Sequence, residues 1–235
     1  MVGLCTIVLA MMLLAACNPN AAPDNEASSA IPAPEPAPPA PAVQSPDQQP
    51  VLTLPGRFAA DTTVTSLEQQ FGKTHVRIEP IPGGEGTTLR GVVLYPDDAS
   101  RRAYLYFQDE KTLHGLHMVR IIDPNSMWTV DPGIRIGMPL PELLRINGKP
   151  IKFTGFDWDY GGGVSDWNDG ALAPRDGEMT RRMVRMDLPQ QARGDTPHED
   201  LPIGDGEFAS DDPRFADLQA VVSEIGMSFP GEDDL

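Results

Sequence analysis

The sequence predicts an α+β domain in which two short helices pack on a mainly antiparallel sheet. Two segments carry the start and stop signals of short helices, and six others have the composition and alternation of half-buried strands. The order of helix and then strands occurs twice, which indicates a tandem duplication. These features lie in residues 51–235, which hold every Trp, Tyr and Phe of the chain and are long enough for a proper core.

The first predicted half spans residues 51–130. Thr65-Ser-Leu-Glu68 has the residues of a capping box, so we expect a short helix that begins there and stops at Gly72. Three alternating segments follow, with a turn at Pro96-Asp-Asp98. We expect strands at residues 88–95, 102–108 and 116–122.

The second predicted half spans residues 131–235. A helix is expected over residues 137–146, with Asn147-Gly148 as its stop signal. Strands are expected at residues 151–160, 182–188 and 220–229. In the last strand, alternation places Ser223 and four apolar residues on one face, and we expect these four in the core: Val221, Ile225, Met227 and Phe229.

Two further observations concern this division into halves. An offset of 76 residues superposes the two helices and their stops, pairing Val64 with Leu140, Leu67 with Leu143, Gly72 with Gly148, and Lys73 with Lys149. Residues 193–214 contain seven acidic residues among glycines and prolines, which predicts an exposed loop that is either disordered or functional, disorder being favoured.

The N-terminus carries an apolar segment of 13 residues, from Leu4 to Ala16, followed by Cys17. A membrane-spanning helix needs about 20 residues, whereas this length suits a secretory signal. Leu14-Ala15-Ala16-Cys17 resembles the lipobox of bacterial lipoproteins, although no Lys or Arg precedes it. The resemblance implies cleavage before Cys17 and acylation of its sulfur, which would anchor the protein in a membrane. An ordinarily cleaved signal and an uncleaved anchor are the alternatives.

Asn18 follows the lipobox, and by the same resemblance this residue implies sorting to the periplasmic face of the outer membrane, since an Asp there favours the inner one. Residues 18–50 hold ten prolines, four acidic residues and no basic residue, a composition that predicts a disordered tether. At about 3.1 Å per residue, such a tether reaches on the order of 100 Å when extended.

Charge excludes some partners of the domain. Residues 51–235 contain 18 basic and 30 acidic residues, a formal net charge of −12. Such a charge disfavours nucleic acid and anionic lipid surfaces. The chain also lacks Gly-x-Ser-x-Gly, His-Glu-x-x-His, a phosphate loop and a Rossmann glycine series, so we expect neither catalysis nor a cofactor.

Two resemblances bear on the fold. The series Gly137-Met-Pro-Leu140, Asn147-Gly-Lys-Pro150 and Trp158-Asp-Tyr-Gly-Gly162 resembles an uncharacterised bacterial envelope lipoprotein family. The pattern of helix-plus-sheet repeats more distantly resembles the tandem modules of β-lactamase inhibitor protein and of outer-membrane assembly lipoproteins. These likenesses imply a fold and a compartment, but a fold does not fix a function.

The candidate binding site is the segment Phe156, Asp157, Trp158, Asp159 and Tyr160, followed by three glycines. On a strand, its aromatic residues would share one side and its aspartates the other. The aromatic side chains would then fill the core or form a recognition surface. A calcium loop that starts at Asp157 would have Asn168 where an EF-hand has its Glu, so no metal site is expected.

These features predict a lipid-anchored, non-enzymatic module that binds a protein or another envelope component. A hydrolase that uses Asp157, Asp159 or Asp166 is the first alternative, and a purely structural spacer is the second. An open, aromatic-lined sheet face would favour binding, whereas a deep cleft with converging carboxylates would favour the enzyme.

Overall fold

The computed structural model describes residues 52–189, 201–215 and 217–229. The helices of this part are α1 (Val64–Phe71) and α2 (Leu140–Asn147), and short 3-10 turns occur at Lys73–His75 and Pro213–Phe215. Its strands are β1 (Thr53–Leu54), β2 (Val76–Pro82), β3 (Thr88–Leu94), β4 (Ala103–Asp109), β5 (His114–Ile121), β6 (Thr129–Val130), β7 (Ile134–Arg135), β8 (Lys152–Thr154), β9 (Val164–Asp166), β10 (Arg181–Asp187), β11 (Glu207–Ala209) and β12 (Val221–Ser228). The predicted signal peptide, lipobox and tether lie outside the described residues.

The strands form one large sheet and two small ones. The central sheet has six strands in the order β10-β12-β5-β4-β3-β2, and every neighbouring pair in it is antiparallel. The small sheets have the orders β1-β6-β7 and β11-β8-β9. The predicted α+β class with a mainly antiparallel sheet is confirmed. The structure does not show a tandem duplication, because β2 to β5 share one sheet whereas the strands after α2 are divided between two.

The N-cap of helix α1 is Thr63, two residues before the predicted cap at Thr65. Its capping box joins Thr63 and Ser66: Ser66 N donates to Thr63 Oγ1 at 3.2 Å, and Thr63 N donates to Ser66 Oγ at 3.0 Å. The predicted box at Thr65 is therefore wrong. The helix still stops at Gly72, as predicted, and buries Leu67 and Phe71, which lie one turn apart.

Helix α2 begins at Leu140 rather than at residue 137 because β12 pairs with the preceding segment. Gly137 N donates to Val222 O at 2.7 Å, and Leu140 N donates to Ala220 O at 2.9 Å. The predicted stop is confirmed, since Gly148 adopts a left-handed φ of 74° and donates to Leu144 O.

The predicted strands of the first half correspond to β3, β4 and β5. Strand β2 was missed because Pro80 and Pro82 interrupt its sequence pattern. Proline cannot donate a ladder hydrogen bond and is tolerated at a sheet edge, which is where β2 lies.

Of the strand predicted over residues 151–160, only residues 152–154 form a strand, and the prediction is wrong for the rest. Strand β8 ends at Thr154, and Asp157 has a positive φ of 67°, which breaks the extended alternation. In β12, Ser223 is an extra residue between the pairs Arg185–Glu224 and Met186–Val222. This bulge turns Val222 into the core and leaves Val221 half-buried, while Ile225, Met227 and Phe229 are buried as predicted.

The acidic segment 193–214 is ordered in the part that the structure describes. Residues 207–209 form β11, which pairs with β8, so disorder is the wrong expectation for residues 201–214. Phe208 packs near Phe153 and Phe215, and these contacts give the segment an apolar side. Residues 193–200 of the predicted loop lie outside the described residues.

The main core lies between one face of the central sheet, the two helices and the small sheets. Its largest fully buried side chain is Trp128, whose indole N–H donates to Arg101 O at 2.7 Å. The opposite face of the central sheet carries a second, smaller apolar cluster. No helix in the described part of the chain is long and apolar enough to cross a bilayer.

Candidate functional site

The second face of the central sheet, called here the open face, carries aromatic, methionine and arginine side chains. Alternation along β4 sends Leu105 and Phe107 to the core and Tyr104 and Tyr106 to the open face. Cross-strand partners share a face. Pairing therefore adds Met118 opposite Tyr106, Arg120 opposite Tyr104, and Met183 opposite Gly226.

A groove of about 620 Å³ runs over the open face. Its floor is formed by side chains of four strands, namely Tyr106, Met118, Arg120, Met183, Arg185 and Glu224. Residues of the β2–β3 turn and of the loop before β9 form its two walls. Gly226 pairs with Met183 on one side and with Arg120 on the other, and it places no side chain between them.

Segments attached to the two edges of the central sheet approach each other across this groove. Gly84 belongs to the turn between β2 and β3 at one edge, and Tyr160 belongs to the loop beside β10 at the other. A Cβ atom on Gly84 would lie 2.9 Å from Tyr160 Oη, so the two residues are in contact. The open face is therefore concave, and Tyr160 spans the groove.

Glycines explain how the loop that carries Tyr160 reaches β10. Gly162 has a φ of 77°, and a Cβ there would lie 1.9 Å from Met186 O. Met186 N donates to Gly162 O at 2.8 Å, and Gly163 forms an isolated bridge with Arg185. Only glycine permits this backbone approach at residue 162, which anchors the loop to the edge of the central sheet.

An ion pair occupies the centre of the floor. Arg120 Nε and Nη2 donate to the two carboxylate oxygens of Glu224 at 2.6 and 2.7 Å, in a bidentate arrangement. This hydrogen bonding raises the pKa of Arg120. Burial raises the pKa of Tyr106, whose hydroxyl donates to Pro82 O at 2.6 Å and ties the floor to one wall.

Arg185 is the second cation of the floor and has different partners. Its Nε donates to Gly161 O, and its Nη2 donates to Trp158 O at 3.2 Å. The guanidinium is half-buried and lines both the groove and a neighbouring cavity of about 280 Å³. None of the carboxylates in the described residues forms an ion pair with it.

The predicted site residues are divided among three environments. Phe156 is 1% exposed and packs against Phe153 in the core, with ring centroids 5.6 Å apart. Asp157 and Trp158 line the smaller cavity, whereas Asp159 and Tyr160 line the groove. The prediction that Phe156, Trp158 and Tyr160 share one strand face is wrong because the backbone turns at Asp157.

Trp158 is half-buried and lies outside the core, the first of the two places expected for the aromatic side chains. Its indole N–H donates to Gly155 O at 2.9 Å, and its ring meets the edge of Tyr160 at a centroid distance of 5.4 Å. Tyr160 is 54% exposed. These contacts hold the loop in shape and present Tyr160 to the groove.

The carboxylates named for the alternative hydrolase have separate surroundings. Asp166 lies 3.8 Å from Lys152 Nζ in the small sheet and accepts a hydrogen bond from Asn168 N at 2.6 Å. Asp159 and Asp157 line different cavities. Within the described ranges, no three His, Cys, Asp or Glu side chains are grouped so that they could hold a metal ion.

Sequence reasoning missed most of the groove floor. Met118, Arg120, Arg185 and Glu224 come from three strands that are distant in sequence. One local signal of the groove was available in β4. Its alternation places Tyr104 and Tyr106, which carry hydroxyl groups, on one face of the sheet and the apolar Leu105 and Phe107 on the other. Comparison with protein-family models, curated proteins and solved structures finds no match for this chain.

Proposed function

We propose that this protein is a lipid-anchored, non-enzymatic module of the bacterial envelope that binds an envelope component in the groove of its central sheet. The observation that carries the proposal is the groove itself, a concave and partly aromatic sheet face of about 620 Å³. Volumes of 300–1,000 Å³ with mainly apolar walls and a few polar groups are typical of binding sites for small ligands and cofactors.

The acidic groups of the groove support binding over hydrolysis. Glu224 is held by Arg120, while Glu85 and Asp159 belong to opposite walls. Carboxylate hydrolases use a pair of carboxyl groups that flank the scissile bond, one of them with a raised pKa. Of the three carboxylates in the described groove, Glu224 is ion-paired on the floor, and Glu85 and Asp159 lie on separate walls among aromatic and methionine side chains.

The anchor supports the proposed location. Acylation of Cys17, implied by the lipobox resemblance, would attach the chain to the periplasmic face of the outer membrane. The Pro-rich tether would let the domain work on the order of 100 Å from the lipid surface. A domain that such a tether holds away from the lipid surface could bind an envelope component located between the membranes.

Photo-crosslinking in intact cells tests the binding proposal. A photoreactive amino acid replaces Leu89, a wall residue that is 36% exposed, and in a control replaces Met127, which is 54% exposed and outside the groove. We expect an adduct of defined mass from position 89 and none of that mass from position 127. The same adducts from both positions, or none from position 89, would contradict the proposal.

The anchor is tested separately by Cys17→Ser. We expect the variant to fractionate with soluble periplasmic proteins or to accumulate as an uncleaved precursor. Fractionation and migration identical to the wild type would contradict acylation at Cys17.

A further inference from the structure

We propose that the ligand of the groove is an amphiphilic carboxylate, a molecule with an elongated apolar body and one carboxylate head group that contacts Arg185. This inference rests on the proposed function, and it names the chemical class of the envelope component. It is carried by the chemistry of the groove lining, by the partners of Arg185 and by the shape of the space.

We infer the apolar body of the ligand from the apolar side chains of the groove walls and floor. Leu89, Met118, Val164 and Met183 line the groove together with the rings of Tyr106 and Tyr160. Methionine side chains adapt to irregular apolar ligands because they are unbranched and polarizable. A continuous apolar chain would therefore gain contacts along most of the groove.

The same lining disfavours a peptide as the occupant. Three strands of the floor, β4, β5 and β12, pair with strands on both sides, and the edge strand β10 bonds to the loop at Gly162 and Gly163, so most backbone groups of the floor are used within the fold. The floor's main ionic group, Arg120, is already paired with Glu224, and the Tyr106 hydroxyl already donates to Pro82 O. A peptide backbone laid on the floor would lose water without gaining equivalent hydrogen bonds, which costs free energy for each amide.

We infer the carboxylate head group of the ligand from the hydrogen-bond partners of Arg185. A guanidinium has five N–H donors, and two of the nitrogens of Arg185 donate to the carbonyls of Gly161 and Trp158. The guanidinium of Arg185 forms no ion pair with a carboxylate of the described residues. The acidic groups of the groove are Glu224, which holds Arg120, and Glu85 and Asp159 on the walls; Asp157 and Asp187 line the smaller cavity that Arg185 also borders. A carboxylate head group would supply the bidentate partner that Arg185 lacks.

The shape of the groove limits the ligand to a narrow molecule. Gly84 and Tyr160 meet across it, so a bound molecule must lie along the floor beneath them. A volume of about 620 Å³ suits one elongated chain rather than a folded polymer.

A series of head groups on one tail tests the proposal. The protein is the full mature chain with Cys17→Ser, since an acylated chain would need detergent, which competes for the groove. Binding of dodecanoate, dodecanol and dodecyltrimethylammonium is measured by calorimetry below their micelle concentrations. We expect dodecanoate to bind at least tenfold more tightly than either of the others.

Three variants identify the residue that selects the head group. Arg185→Gln should reduce the preference for dodecanoate over dodecanol to near unity. A merely distorted groove would instead weaken both ligands and leave their ratio unchanged. Glu224→Gln should tighten dodecanoate binding, because it removes the negative charge beside both arginines. Arg145→Gln, on the exposed side of α2, is the charge-matched control and should leave both affinities unchanged.

Several results would overturn the inference. Equal affinity for the three head groups, no binding of dodecanoate, or weaker binding by Glu224→Gln would each contradict it. Tighter binding of a mixture of N-acetylated tetrapeptides with free C-termini would replace it with a peptide ligand. If dodecanoate fails while the position-89 adduct persists, the ligand class is wrong and the proposed function stands; if both fail, both are wrong.

Discussion

At the scale of single residues, Trp158 and Trp128 differ in burial, and this difference sets their contributions to stability. Trp128 is 1% exposed within the core, whereas Trp158 is half-buried on a loop. We expect Trp128→Ala to lower the free energy of unfolding by about 3–5 kcal/mol. Trp158→Ala should cost about 1–2 kcal/mol, because only part of its surface leaves water.

Urea denaturation of the two variants measures both values. Equal losses would mean that the loop around Trp158 is as much a part of the core as Trp128. If Trp158→Ala costs little stability but abolishes the position-89 adduct, the loop shapes the groove.

Asp98 provides a test of local electrostatics. The Ser100 hydroxyl donates to its carboxylate at 2.6 Å, and Arg101 Nε donates at 2.6 Å; these bonds lower the pKa of Asp98 from 3.8 to about 2. Because the folded pKa lies below the unfolded one, the stabilisation is complete above pH 3.8 and is lost as the pH falls towards 2.

We expect Ser100→Ala to raise the pKa of Asp98 towards 3.8, as followed by NMR titration of its carboxyl carbon. Asp98→Asn is the control, since it removes the group and its share of the pH dependence between about 4 and 2. An unchanged Asp98 pKa in Ser100→Ala would show that the hydroxyl does not hold the carboxylate.

At the scale of secondary-structure elements, bulges decide which side chains reach the open face. His117 is an extra residue between the pairs Tyr106–Met118 and Phe107–Leu116, as Ser223 is in β12. The extra residue of a bulge reverses which side chains of the strand face the core and which face the groove beyond that point. The core residue Leu116 and the groove residue Met118 share a strand in this way.

The docking of the loop on β10 predicts unequal effects of two glycine substitutions. Gly162 and Gly177 have the same φ of 77°, but only a Cβ on Gly162 would collide, with Met186 O. We expect Gly177→Ala to cost about 1–2 kcal/mol from the left-handed backbone alone. Gly162→Ala should cost more, because the loop must also leave the edge of β10.

Thermal or urea unfolding of the two alanine variants measures the difference, and calorimetry of Gly162→Ala measures its effect on the groove. Since Tyr160 depends on this loop, dodecanoate affinity should fall in Gly162→Ala and stay unchanged in Gly177→Ala. Equal stabilities would show that the contact between Gly162 and Met186 is not maintained.

At the scale of the whole molecule, composition predicts that the tether and the domain are independent. Deleting residues 20–45 should leave the thermal midpoint of the domain nearly unchanged, because a segment so rich in Pro, Ala and polar residues cannot bury enough apolar surface to add to a core. Differential scanning calorimetry of the full mature chain and of the deletion variant makes the comparison. A shift of more than a few degrees would mean that the tether packs on the domain.

The elements with local signals can be predicted from the sequence alone. The α+β class, the stops of both helices at Gly72 and Gly148, and strands β3 to β5 follow from periodicity and glycine chemistry within short windows. The predicted lipobox and tether, which lie outside the described residues, and the acidic charge likewise rest on local or compositional signals. These features need no knowledge of what lies across the sheet.

The site, by contrast, depends on contacts between segments that are distant in the sequence. Arg120 and Glu224 are 104 residues apart, and only the pairing of β5 with β12 brings them together. The turn at Asp157 and the bulge at Ser223 interrupt the alternation that the local sequence predicts. The predicted aromatic strand is therefore divided between core, cavity and groove, and the β2–β3 turn meets Tyr160 across the groove.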